Sequence, residues 1–214
     1  ADGADIITAS AGTSNTRIGV NTGNSITSGG NYNVLVGDEA GTALTTGDKN
    51  IALGFEALAT EDTGKSSVAI GYQALKTQNN DAENFNTAVG ALAGLSVTTG
   101  FNNTLIGGKA GDAITSGDNN VAVGVNALTA DTLGDRNVAI GAAALASQNF
   151  TTSTDVYNVG VGYLAGYSIT TGVQNTIIGG LAGDAITSAL GNTTVGYNSL
   201  SAETQGKGSV AMGF

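Results

Sequence analysis

Ser67-Val68-Ala69-Ile70-Gly71, Asn120-Val121-Ala122-Val123-Gly124 and Asn137-Val138-Ala139-Ile140-Gly141 are three copies of one phrase. It reads Asn or Ser, a β-branched residue, any residue, an aliphatic residue, then Gly, and it occurs twelve times in 214 residues. The closing glycines are Gly19, Gly37, Gly54, Gly71, Gly90, Gly107, Gly124, Gly141, Gly162, Gly179, Gly196 and Gly213, mostly 17 apart. A short fixed period means one structural unit stacked on copies of itself. The expected fold is therefore all-β: a parallel β-solenoid of about twelve 17-residue coils. Eleven steps of roughly 4.8 Å make a rod on the order of 50 Å long.

Residues three and one before each Gly are aliphatic or Thr and share one side of a strand, because side chains alternate. That side is expected to form the dry core. The residue between them is small at Ala52, Ala69, Ala88, Ala122, Ala139, Gly160 and Ala211. A strand that is aliphatic on one face and tiny on the other reads as buried on both. The small face is thus expected to pack against another copy of the chain.

The residue four before Gly is Asn15, Asn33, Asn50, Asn86, Asn103, Asn120, Asn137, Asn158, Asn175 or Asn192, with Ser67 and Ser209 as replacements. Stacked at a coil corner, these form either a ladder of side-chain amides or a row of Asn-stabilised turns, and the two roles are compatible. The closing Gly is expected to supply a positive φ or a close backbone approach.

Four residues past each Gly the chain reads Gly23, Gly41, Leu58, Leu75, Gly94, Gly111, Leu128, Leu145, Gly166, Gly183, Leu200. Pairs of Gly and Leu alternate, so coils group in blocks of four, about 71 residues long. The steps Gly71–Gly90 and Gly141–Gly162 carry two and four extra residues at equivalent places in successive blocks. Extra residues bulge outward in a solenoid, often on a binding face. Candidate receptor-contact residues are accordingly Gln78, Asn79, Asn80, Asp81 and Phe85 in the first insert. Gln148, Asn149, Phe150 and Tyr157 are their counterparts in the second. Their amides suit sugar hydroxyls, and their aromatic rings offer platforms or pack down as anchors.

Composition excludes much else. The net charge of -10 disfavours nucleic acid and anionic membranes. The chain has no Cys and no His, which removes disulfides, thiolate or imidazole metal sites and His-based triads. No apolar run is long enough to span a membrane. No cofactor is expected. Residues 1–14 read as a lead-in and 15–214 as one solenoid, a fragment of a longer fibre.

Other motifs are weaker. Gly64-Lys65-Ser66 lacks the first glycine of a phosphate loop, with Ala59 in its place. Asp112 and Asp184 sit in stretches that miss the calcium nonapeptide spacing. Pairs such as Asp38-Glu39 and Glu61-Asp62 read as a solvated face without the cleft a glycosidase needs. Thr-rich turns raise an ice-binding surface, but Glu61, Asp62, Asp131 and Glu203 stand at the corresponding places elsewhere.

The phrases SSVAIG, NNVAVG, RNVAIG and GSVAMG resemble the repeat of YadA-like heads of trimeric autotransporter adhesins, and similar repeats in phage tail fibres. The resemblance runs from about Asn15 to the end, although the family's coils are commonly shorter. It implies a left-handed β-roll assembled as a parallel homotrimer, with the small-residue strand at the threefold axis. It further implies an extracellular, non-enzymatic attachment role on a bacterial surface or virion, with a host glycan or protein as partner. A carbohydrate-active or ice-binding solenoid is the alternative.

Overall fold

The computed structural model describes residues 11–214. Most of the 1–14 lead-in lies outside them. Each repeat phrase forms one three-residue strand. Taken in chain order, the first seven are β1 Thr16–Ile18, β2 Val34–Val36, β3 Ile51–Leu53, β4 Val68–Ile70, β5 Thr87–Val89, β6 Thr104–Ile106 and β7 Val121–Val123. The rest are β9 Val138–Ile140, β11 Val159–Val161, β12 Thr176–Ile178, β13 Thr193–Val195 and β14 Val210–Met212. Two further short strands, β8 Gly134–Asp135 and β10 Thr154–Asp155, pair with each other in the second insert.

The twelve repeat strands form one parallel sheet in sequence order, each in register with the same position of the next coil. No helix occurs among the described residues. The chain is a parallel β-solenoid of about twelve coils.

The strands face the opposite way from the expectation. Ala52, Ala69, Ala88, Ala122 and Ala139 are fully buried inside their own solenoid, and Gly160 is buried with them. Ala211, on the last strand, is partly covered. The flanking Val, Ile and Thr residues point outward and are half-buried or exposed. The small residues are therefore not a face offered to another chain.

Their size answers to the opposite wall of the same coil. Leu58, Leu75, Leu128 and Leu145 are fully buried across from Ala52, Ala69, Ala122 and Ala139. Where that wall carries a pair of Gly, one strand residue of the pair grows to serve both: Leu35 fills the space of a Cβ at both Gly23 and Gly41. Leu105 does the same for Gly94 and Gly111, and Ile177 for Gly166 and Gly183. The 71-residue block is thus a packing solution in which two wall leucines alternate with one large strand residue that serves a pair of wall glycines, and Gly160 stays small because Leu145 occupies the space of its Cβ.

The corners are built from polar ladders. Asn120 Oδ1 accepts from the Asn137 backbone N–H at 3.0 Å, and Asn120 Nδ2 donates to the Gly134 carbonyl at 2.9 Å. The same pair of bonds recurs at Asn33, Asn103, Asn158 and Asn175. The dominant link between coils runs from backbone amide to side-chain oxygen. Direct amide-to-amide bonds occur only at some steps, such as Asn137 to Asn120 and Asn192 to Asn175. The closing glycines stack directly. Gly124 has φ +139, and a Cβ there would lie 2.5 Å from the Gly141 carbonyl oxygen.

Candidate functional site: the outer sheet face and the two inserts

Three surfaces have the makings of a site, and the strand geometry sets the first. Outward residues form two columns along the rod. The column three before Gly contains only Val, Ile and Thr, and the column one before contains only Val, Ile, Leu and Met. No charge interrupts either, and Ile18, Ile106, Ile140 and Ile178 are about two-fifths exposed. Around the corner stand the exposed rings of Phe55, Tyr72, Tyr163 and Tyr197, with Phe55 and Tyr72 stacked at 5.8 Å between centroids.

The inserts are tied down from inside. The residue seven past the closing Gly points into the coil, and it is apolar in the Gly-type coils: Ile26, Leu44, Val97, Ile114, Ile169 and Ile186. In the Leu-type coils it is Glu61, Gln78, Asp131, Gln148 and Glu203; the first four are fully buried, and Glu203, in the last such coil, is half-buried. Gln78 and Gln148 are therefore interior groups, not receptor-contact side chains.

Gln78 Nε2 donates to Glu61 at 2.9 Å and to Ser67 Oγ at 2.9 Å, while its carbonyl accepts from Asn86 Nδ2 at 2.9 Å. Ser67 is shorter than the Asn found at other corners, and Gln78 occupies the room it leaves. Glu61 also accepts from Gly64 N–H in its own coil at 2.7 Å and from Asn84 Nδ2 at 3.2 Å, so its bonds from Gln78 and Asn84 hold both ends of the first insert. The second insert repeats the device. Asp131 accepts from Gln148 Nε2 at 2.5 Å, Phe150 N–H at 3.1 Å and Gly134 N–H at 3.1 Å.

Glu61, which reads as part of a solvated face in the sequence, is thus an interior group. The alternation of apolar and polar residues seven past each Gly was the available signal, visible once the coils are aligned.

Burial raises the Glu61 carboxyl above its ordinary 4.5 and the Asp131 carboxyl above 3.8, against the opposing pull of the bonds from Gln78 and Gln148. The folded chain then holds these two protons more tightly than the unfolded chain. Stability rises as pH falls through the folded-state values, and the gain is complete below the ordinary ones. A Glu61→Gln, Asp131→Asn double variant isolates this from Glu56 and Glu203, whose carboxyls are shifted the other way. Urea midpoints should rise relative to that variant as pH falls from neutrality toward the ordinary carboxylate range. Parallel pH profiles would show that the two acids carry no such linkage.

The remaining insert residues divide by exposure. Asn79, Asp81 and Asn149 are exposed, Asn80 is half-buried, and Phe150 is buried at 8%. Phe85 and Tyr157 are 54% and 47% exposed, on left-handed corners with φ +50 and +55. Only Phe150 packs down as an anchor. Arg136 ion-pairs with Asp155 and lies over the Tyr157 ring, 5.8 Å from its centroid.

The third surface is the threonine flank. Eight past the closing Gly stand Thr27, Thr45, Thr98, Thr115, Thr132, Thr170, Thr187 and Thr204, with Asp62, Asn79 and Asn149 in the other coils. Glu61 and Asp131 are one position earlier and buried, so they do not interrupt this column. The threonine hydroxyls are engaged instead: Thr45 donates to the Asp62 carbonyl and Thr187 to that of Thr204. Both inserts leave the coil on this flank and break its flatness. No protein-family model, curated protein or solved structure matches the chain.

Proposed function

We propose that the chain is a segment of an extracellular attachment fibre, a parallel homotrimer of left-handed β-rolls on a bacterial surface or virion tail. The observation that carries this reading is the uncharged aliphatic face running the length of the sheet. A continuous apolar strip of this kind is far larger than the scattered exposed residues of a monomer and marks an interface. β-Branched side chains in register on a flat sheet suit close packing against copies of themselves. The resemblance to adhesin heads supplies the number three. The aliphatic columns supply the contact, in place of the small residues.

A rod of this form displays contact groups at fixed heights, and three parallel chains multiply each weak contact. The function is structural and adhesive, with a host-surface glycan or protein as the partner.

The test uses Val121 and Val138, register neighbours on β7 and β9 that point away from the interior. Replacing both with Asp should yield a folded monomer by analytical ultracentrifugation, since desolvating unpaired carboxylates opposes association. A wild-type chain that sediments as a monomer removes the trimer. Ala139→Leu should act differently. Its extra bulk meets Leu145 inside one coil and should cost about 1–3 kcal/mol of folding stability in any assembly state.

A further inference from the structure

The two inserts occupy equivalent places in successive blocks, yet their surfaces differ. Beside the first insert lies a cleft of about 470 Å³ lined by Asp62, Asn79, Asn80, Asp81 and Thr99. It is shallow and open to solvent, with a mainly polar lining. At the matching places the second insert has Thr132 for Asp62, Phe150 for Asn80, Thr151 for Asp81 and Thr171 for Thr99. Phe150 is buried there, and its carbonyl accepts from Thr132 Oγ at 2.8 Å. One block plugs the position with a ring, and the other leaves it open and polar.

The open cleft is held in shape by its own bonds. Asn80 Nδ2 donates to the Thr99 carbonyl at 2.8 Å, its N–H points to buried Glu61, and Asn79 N–H donates to the Thr98 carbonyl. Thr63 Oγ donates to Asp81 Oδ1 at 2.6 Å, which orients that carboxylate. Several groups are left without a partner among the described residues: the Asn79 amide, the Thr99 hydroxyl, and Asp62 Oδ1, which is buried.

We infer that this cleft of the first insert is a site for a neutral, hydroxyl-rich saccharide, and that the second insert is not. The inference rests on the attachment reading and specifies the partner's chemistry. Carboxylate oxygens accept from vicinal sugar hydroxyls, while a primary amide both donates and accepts. Two carboxylates, no Lys or Arg in the lining and a chain charge of -10 reject sialylated or phosphorylated sugars. A trimer then carries one ring of three sites.

The experiment titrates the full chain with galactose-, glucose- and mannose-terminated neutral tetrasaccharides, their sialylated counterparts, and calcium chloride alone. The Asp62→Thr, Asn80→Phe, Asp81→Thr variant copies the second block's arrangement, and Asn79→Ala serves as a single exposed change should the triple fail to fold. Binding of one neutral tetrasaccharide is expected. It should weaken about tenfold or more in either variant and for the sialylated form, the scale of losing hydrogen bonds to a charged group. No neutral sugar bound, equal binding by the variants, or heat from calcium alone overturns the site. Host-cell attachment by wild type is measured alongside. Attachment that persists without sugar binding retires the cleft alone, and its absence counts against the attachment reading.

Discussion

Replacing Gly124 with Ala is expected to unfold the coils around it, the largest single-residue effect in the molecule. The cause is double. At φ +139 the backbone lies where residues with a Cβ are strained, and strain of that kind costs about 1–3 kcal/mol. The Cβ would also stand 2.5 Å from the Gly141 carbonyl oxygen and 2.6 Å from its carbon, backbone atoms that cannot move without opening the sheet. Each coil rests on the next, so the disturbance spreads to neighbours before it decays.

Urea denaturation should show a loss of more than about 3 kcal/mol, against a whole-domain stability of roughly 5–15 kcal/mol. Hydrogen exchange should accelerate first in β7 and β9. Gly191→Ala is the control: its φ is +67 but nothing lies within 4 Å of an added Cβ, so only about 1–2 kcal/mol is expected. Equal losses at the two sites would show that stacking at the closing glycine is not what demands it.

Asn120→Ala ranks second. Its side chain is fully buried and satisfies two backbone groups at once, the Asn137 N–H and the Gly134 carbonyl. Removing it strands both in a dry corner. Each buried unsatisfied group costs about 1–3 kcal/mol, so the pair should cost about 2–6 kcal/mol. Asn120→Asp separates the two bonds, since it keeps the acceptor for Asn137 and loses the donor to Gly134. At neutral pH it also buries a carboxylate against the Gly134 carbonyl, so it should lose at least as much as Ala in a urea titration. A loss below about 1 kcal/mol for Ala would mean that water replaces the amide and that the Asn column serves the turn alone.

The repeat, its period, the parallel stacking and the blocks of four were legible in the residues, because each rests on local rules. The Gly column needs a conformation that L-residues avoid. The Asn column needs a short amide at a corner. The two-residue alternation places the residues on either side of Ala122 on the opposite face from it. The sign of that face was not legible. Both sides of the strand are apolar, so alternation alone cannot say which one is inside. Only the facing wall decides: Leu128 and Leu145 fill the coil and leave room for Ala122 and Ala139, which pushes Val121, Val123 and Val138 out.

The same holds for the inserts. Glu61, Gln78, Asp131 and Gln148 look like surface residues in any window of sequence, because charge and amide groups are usually solvated. They are interior because the neighbouring Leu already occupies the apolar space and the insert backbone supplies the donors that the acids need. Phe85 and Tyr157 stay exposed while Phe150 is buried, although all three lie near insert ends. Chain order places them together. Whether a ring turns in or out depends on what the opposite side of the coil has left empty, and that is settled only when the walls meet.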